Sequence, residues 1–100
     1  MATITLGKTD ITCQRNGFGA LPVQRICQED AVHLLRQAFD GGIRFFDSAR
    51  AYTDSEEKLG KALSSRRLRS KVFLASKTMC ANTQEFWSQL QTTLNNLKTD

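Results

Sequence analysis

A carboxylate, a phenol and an amine, carried by Asp47, Tyr52 and Lys77, are the side chains of this sequence whose types and placement could do chemistry together. In Phe45-Phe46-Asp47-Ser48-Ala49-Arg50-Ala51-Tyr52 an apolar run stops at the carboxylate, and the phenol follows five residues later. A free tyrosine titrates near pH ~10 and is a poor acid at neutrality unless its phenolate is stabilised. A lysine ammonium beside it would do that, and an aspartate paired with the lysine would keep it charged and in place. Such a tyrosine could give a proton to a carbonyl oxygen while hydride reaches the carbon, and take it back in reverse. Asp at a strand end is also an ordinary turn residue, so the chemistry depends on whether the fold gathers all three.

The elements that must gather them can be read in order. Ile4-Thr5-Leu6 and Ile11-Thr12-Cys13 alternate on either side of the turn formers Gly7-Lys8-Thr9-Asp10, which predicts a β-hairpin. Asn16-Gly17-Phe18-Gly19-Ala20-Leu21-Pro22 is a short strand running into a loop. A dinucleotide fingerprint fails there, because Pro22 stands where the third glycine is needed. From Glu29 to Asp40, Ala31, Leu34, Leu35, Ala38 and Phe39 fall on one helical face, and Gly41-Gly42 ends that helix. The single histidine, His33, belongs to the opposite, solvated face.

Ile43 to Ala49 reads as a strand covered on both faces, with Ile43, Phe45 and Asp47 sharing one side. Thr53 or Asp54 caps a helix to about Leu63, with Glu56 or Glu57 completing a capping box. Lys71 to Lys77 is the next strand, with Phe73, Ala75 and Lys77 pointing the same way. Asn82 or Thr83 then starts a helix with the stripe Phe86, Leu90, Leu94 and Leu97, and Trp87 packs beside it. Three strands alternating with three helices imply βαβ crossovers and a parallel sheet. The C-terminal ends of its strands share one rim, which puts Asp47 and Lys77 together with Tyr52 in the loop above.

The 100 residues allow one domain, 1–100, and 40% hydrophobic with 24% charged residues is an ordinary globular balance. A net charge of +4 is mild, and the basic run Arg66, Arg67, Arg69 and Lys71 has no interleaved aromatics, so it reads as a solvated loop rather than a nucleic-acid site. Cys13, Cys27 and Cys80 are odd in number and far apart, which argues against a disulfide framework and a zinc site and fits the cytoplasm. No apolar run is long enough to serve as a signal peptide core or to span a membrane.

Gly17-Phe18-Gly19-Ala20 after the hairpin, Gly-Gly-Ile-Arg-Phe-Phe-Asp-Ser-Ala-Arg-Ala-Tyr from Gly41 to Tyr52, Ser55-Glu56 with Leu59-Gly60 and Ala62-Leu63, and Ala75-Ser76-Lys77 closely resemble the start of an aldo-keto reductase. The resemblance implies the N-terminal part, a hairpin plus about three βα units, of an α/β (β/α)8 TIM barrel with parallel strands. It implies NADP(H)-dependent interconversion of aldehydes or ketones with alcohols. The family's catalytic residues map onto Asp47, Tyr52 and Lys77, with Tyr52 the general acid tuned by the other two. Gly19, Ala20 and Leu21, with Asp47, match the positions beside the nicotinamide. No metal is implied. Thr-Asp-Ser-Glu-Glu-Lys after Tyr52 is similar to a bacterial branch whose longer members carry a C-terminal iron-sulfur region, of which nothing is present here.

The family's fourth catalytic residue, a histidine after the fourth strand, has no counterpart here, and His33 on the first helix cannot replace it. Barrels of this type need about 250 residues. The expectation is therefore the front part of a reductase, inactive alone. The alternative is a non-catalytic barrel module acting through association with itself or with a complementary barrel part, because unpaired sheet edges with apolar faces attract partners.

Overall fold

The computed structural model describes residues 2–100. A hairpin comes first: β1 (Thr3–Thr5) pairs antiparallel with β2 (Thr12–Gln14), with Ile4 opposite Cys13. Both strands lie one residue away from the alternating runs that predicted them. Three βα units follow. β3 (Phe18–Gly19) leads through a 3-10 turn over Leu21–Arg25 into α1 (Gln28–Asp40). β4 (Phe45–Asp47) leads into α2 (Ser55–Leu63), then α3 (Arg66–Arg69). β5 (Phe73–Ala75) leads into α4 (Thr83–Leu97).

The sheet has the order β3-β4-β5 and is parallel throughout, with Phe18, Phe46 and Leu74 in one register row and Gly19, Asp47 and Ala75 in the next. Its regular strands are shorter than the runs 43–49 and 71–77. Extended pairing nonetheless continues past β4, since Ser48 N donates to Ala75 O at 2.8 Å and Arg50 N to Lys77 O at 2.9 Å.

Cover on both faces of β4 was the expectation; the structure covers one. Phe46 and Ser48 are fully buried under α1 and α2, whereas Phe45 and Asp47 are only partly covered. The core joins Val23, Leu35, Phe46, Leu59 and Leu63, all with at most 1% of their surface exposed. On α1, Ala31, Leu35 and Phe39 are buried, but Leu34 is 41% exposed: the helix presents a narrower stripe to the sheet than its apolar spacing suggested.

Two glycines are required by their surroundings. Gly42, with φ of +107°, makes the turn from α1 to β4 and lies against the Gln14 side chain, so it rather than Gly41 takes the positive-φ position. Gly60 lets α2 meet α4 backbone to backbone, since a Cβ there would run into the Asn96 carbonyl and the Leu97 main chain.

The basic run expected as a loop contains α3 instead. Ser65 caps this short helix by accepting from Leu68 N at 3.4 Å. Arg66 and Arg67 are exposed, while Arg69 turns inward to donate to Val72 O at 3.0 Å and Thr99 Oγ1 at 2.8 Å. At α4 the expected cap is present, with Asn82 Oδ1 accepting from Glu85 N at 2.8 Å. Its apolar stripe is open: Phe86 and Trp87 are exposed, the latter by 61%, and they stack edge to face with centroids 5.4 Å apart. Trp87 therefore does not pack into the core, because no element among the described residues lies over that side of α4.

Candidate active site

Asp47, Tyr52 and Lys77 meet at the C-terminal rim of the sheet. Asp47 ends β4, and Lys77 lies two residues beyond β5, held by its carbonyl to Arg50 N. Lys77 Nζ donates to Asp47 Oδ2 at 2.9 Å and to Ser48 O at 2.7 Å, and lies 5.2 Å from the centroid of the Tyr52 ring. The hydrogen bond to the Asp47 carboxylate holds the Lys77 ammonium above its ordinary titration range against the desolvation that opposes it, and the charge of Asp47 and then Tyr52 add to the effect. The Asp47 and Lys77 side chains are 44% and 53% exposed, so the pair faces open space rather than the core. Ala49, Ala51, Tyr52, Lys77, Thr78 and Met79 line a cavity of about 270 Å3 beside them.

The loop bearing Tyr52 is braced on both sides. Tyr52 N donates to Ala49 O at 3.1 Å, and Ser55 N to Tyr52 O at 2.9 Å. Thr53, the next residue, has φ of +45°, a left-handed conformation unfavourable for a β-branched side chain. Strain of this kind costs about 1–3 kcal/mol and persists where the surroundings impose it. Here the Thr53 hydroxyl donates to Gln24 Oε1 at 3.1 Å, tying the loop to the 3-10 turn.

The residues expected beside a cofactor come to the same rim. Gly19 is in register with Asp47, and no atom lies within 4 Å of where a Cβ on Gly19 would stand. Ala20 is fully buried; its N–H donates to Asp47 O at 2.8 Å and its carbonyl accepts from Ser55 Oγ at 3.0 Å. Leu21 is exposed at the start of the 3-10 turn. His33 lies on the exposed face of α1, away from this rim.

The capping box expected at α2 does not form. Asp54 is at the cap position without a side-chain cap; its carboxylate accepts instead from Lys58 Nζ at 2.9 Å. Lys58 is itself buried, and also donates to Val23 O at 2.9 Å and Ile26 O at 2.7 Å, so α2 holds the 3-10 turn in place.

Glu56, with no exposed surface, is the acceptor for Arg50 Nη1 at 2.9 Å, Ser76 Oγ at 2.7 Å, Thr93 Oγ1 at 2.8 Å and Asn96 Nδ2 at 3.3 Å. Burial opposes its charge, but the bonds from Ser76, Arg50, Thr93 and Asn96 prevail and hold its carboxyl below the usual range. The sequence carried a signal for its burial, though not for its partners: Glu56 lies three and seven residues before Leu59 and Leu63, on the stripe that α2 buries.

Among the described residues no helix is long and apolar enough to cross a membrane, and no three His, Cys, Asp or Glu side chains gather to hold a metal ion. The chain is similar to L-galactose dehydrogenase of Arabidopsis thaliana, at 39% identity over 79 residues, which is 72% of this chain and 25% of that protein. Among solved structures, an aldo-keto reductase from Klebsiella pneumoniae in complex with NADPH superposes with a TM-score of 0.79 at 28% identity, over 89% of this chain and 33% of that one. The holo form of an aldo-keto reductase from Bacillus halodurans shares the fold, with a TM-score of 0.87 at 24% identity over 100% of this chain and 37% of its own. The chain thus spans a quarter to about two fifths of the length of such proteins, and its hairpin and three βα units match the N-terminal part of their barrel. The family model for the aldo/keto reductase family matches residues 12–100, from the second hairpin strand through the rim and α4, and the chain belongs to that family.

Proposed function

We propose that the chain, as one unit over residues 1–100, supplies the proton-transfer part of an NADP(H)-dependent oxidoreductase that interconverts carbonyls and alcohols. The observation that carries this reading is the placement of Lys77 Nζ, 2.9 Å from Asp47 Oδ2 and 5.2 Å from the Tyr52 ring centroid, at the open end of the sheet. Tyr52 gives its phenolic proton to the carbonyl oxygen of an aldehyde or ketone. The Lys77 ammonium stabilises the phenolate left behind, and Asp47 keeps that ammonium charged and in place. In the alcohol-to-carbonyl direction the same phenolate takes the proton back.

NADP(H), when bound, supplies or accepts the hydride. Gly19, Ala20, Leu21 and Asp47 would border it, and the open space over Gly19 beside Asp47 fits the approach of a flat ring. The NADPH seen with the Klebsiella pneumoniae relative supports the choice of cofactor. Three free cysteines suit a reducing, cytoplasmic setting.

The test is carbonyl reduction by a complete barrel carrying this chain as its first part. Tyr52→Phe is expected to lower turnover by about 100- to 10,000-fold with cofactor affinity retained; near-normal turnover would remove Tyr52 from the role. The chain by itself is expected to show no saturable quenching or enhancement of NADPH fluorescence.

A second reading, a non-catalytic module acting through association with itself or a complementary barrel part, draws on the open side of β5. There a cavity of about 290 Å3 is lined by Leu74, Phe86, Leu90, Leu94 and Leu97 among others. Light scattering that finds only monomers at high concentration would remove the self-association.

A further inference from the structure

One buried carboxylate collects donors from both segments that build the rim. Of the four groups bonded to Glu56, Ser76 immediately precedes Lys77, and Arg50 stands between Asp47 and Tyr52. Arg50 closes a ring: its guanidinium is held by Glu56 at 2.9 Å, while its backbone N–H donates to the Lys77 carbonyl, also at 2.9 Å. The other two donors, Thr93 and Asn96, belong to α4 and lead away from the rim. Among the described residues no buried polar side-chain atom lacks a partner, so the cluster is complete as it stands.

We propose that Glu56 is a positioning residue for Lys77, acting through Ser76 and Arg50 to keep the ammonium within reach of both Asp47 and Tyr52. The proposal rests on the reading of Lys77 as the charge that supports Tyr52. A lysine head group sits on a flexible four-carbon stem, so its location depends on where the backbone at its base is fixed. Ser76 fixes that backbone from one side through its hydroxyl, and Arg50 fixes it from the turn after β4 through its N–H. A displacement of about 1 Å at such a base is enough to change turnover about 100-fold. If Glu56 served the fold alone, its bonds to α4 would matter to Lys77 as much as its bond to Ser76.

That difference can be measured on the 100-residue chain by following the Lys77 side chain through a pH titration by NMR, with the lysines 13C-labelled at Cε so that their ammonium groups stay unmodified. Ser76→Ala is expected to lower the Lys77 midpoint by about half a pH unit. Ser76→Thr, which keeps the hydroxyl, restores it. Thr93→Val removes a bond of nearly the same length from the same carboxylate, and is expected to weaken the fold as Ser76→Ala does while leaving the Lys77 midpoint unchanged. Equal shifts from Ser76→Ala and Thr93→Val, or no shift from Ser76→Ala, would overturn the proposal. The titration reads Lys77 directly and needs no turnover, so this proposal and the role of Tyr52 fail separately.

Discussion

Two ion pairs stand a few residues apart at the rim, each with nitrogen and oxygen 2.9 Å apart, and they do opposite work. Asp47–Lys77 is about half exposed on both partners, whereas Glu56 in the Arg50–Glu56 pair has no exposed surface and its arginine has 26%. An exposed pair contributes only about 0–1 kcal/mol to stability, since water and salt screen it. A buried carboxylate that has lost its water is held by its partners, and removing either side leaves charge or donors stranded. Equal distances thus hide unequal energies: the exposed pair is free to meet a ligand, and the buried one fixes where the exposed one stands.

The largest expected effect that would sharpen this contrast is on stability. Glu56→Ala strands the donors of Arg50, Ser76, Thr93 and Asn96 and is expected to cost about 3–5 kcal/mol, read as a lower urea midpoint by circular dichroism. A cost no greater than that of a surface substitution would break the comparison.

An intermediate effect lies in pH. The Glu56 carboxyl titrates below its ordinary value of 4.5 in the folded chain, so its stabilisation is present above that value and lost as pH falls through the folded one. Acid should therefore destabilise wild type progressively below about pH 4.5, and Glu56→Gln should flatten this limb. Lys77 titrates above its ordinary 10.5, so its contribution is present below that value and lost as pH rises through the folded one. The exposure of its pair makes the alkaline loss the smaller of the two.

Smallest of all is Asp47→Asn, expected to change stability by less than about 1 kcal/mol while bringing the Lys77 midpoint down toward the ordinary lysine value. Salt should narrow the stability difference further. A denaturation series at low and high ionic strength checks both statements.

What the sequence revealed follows the same division. Asp47, Tyr52 and Lys77 were legible because strand alternation and parallel topology bring strand ends to one rim whatever the details of packing. The role of Glu56 was not, because an acidic residue three positions after a Thr at a helix start also satisfies a capping pattern, and only the packed structure shows which bond wins. Asp54 was misread for the same reason: Lys58, one turn on, took its carboxylate. Leu34 lay on an apolar helix face in the sequence and Trp87 beside one, but a face is buried only where another element covers it, and periodicity does not say how wide that cover is. The short α3 depended on a single serine cap, too brief a signal to separate from a polar loop.

The one-sided cover of β4 divides the strand's positions by consequence. Phe46 and Ser48 lie in the sealed layer beneath α1 and α2, where a change of volume is felt by the whole core. Phe45 and Asp47 look the other way, into space that few neighbours share. Substitution at the odd positions can alter what the rim recognises while the scaffold survives, and substitution at the even ones tests whether there is a scaffold. A strand arranged like this lets a lineage explore new ligands on one side of the sheet without renegotiating the fold on the other.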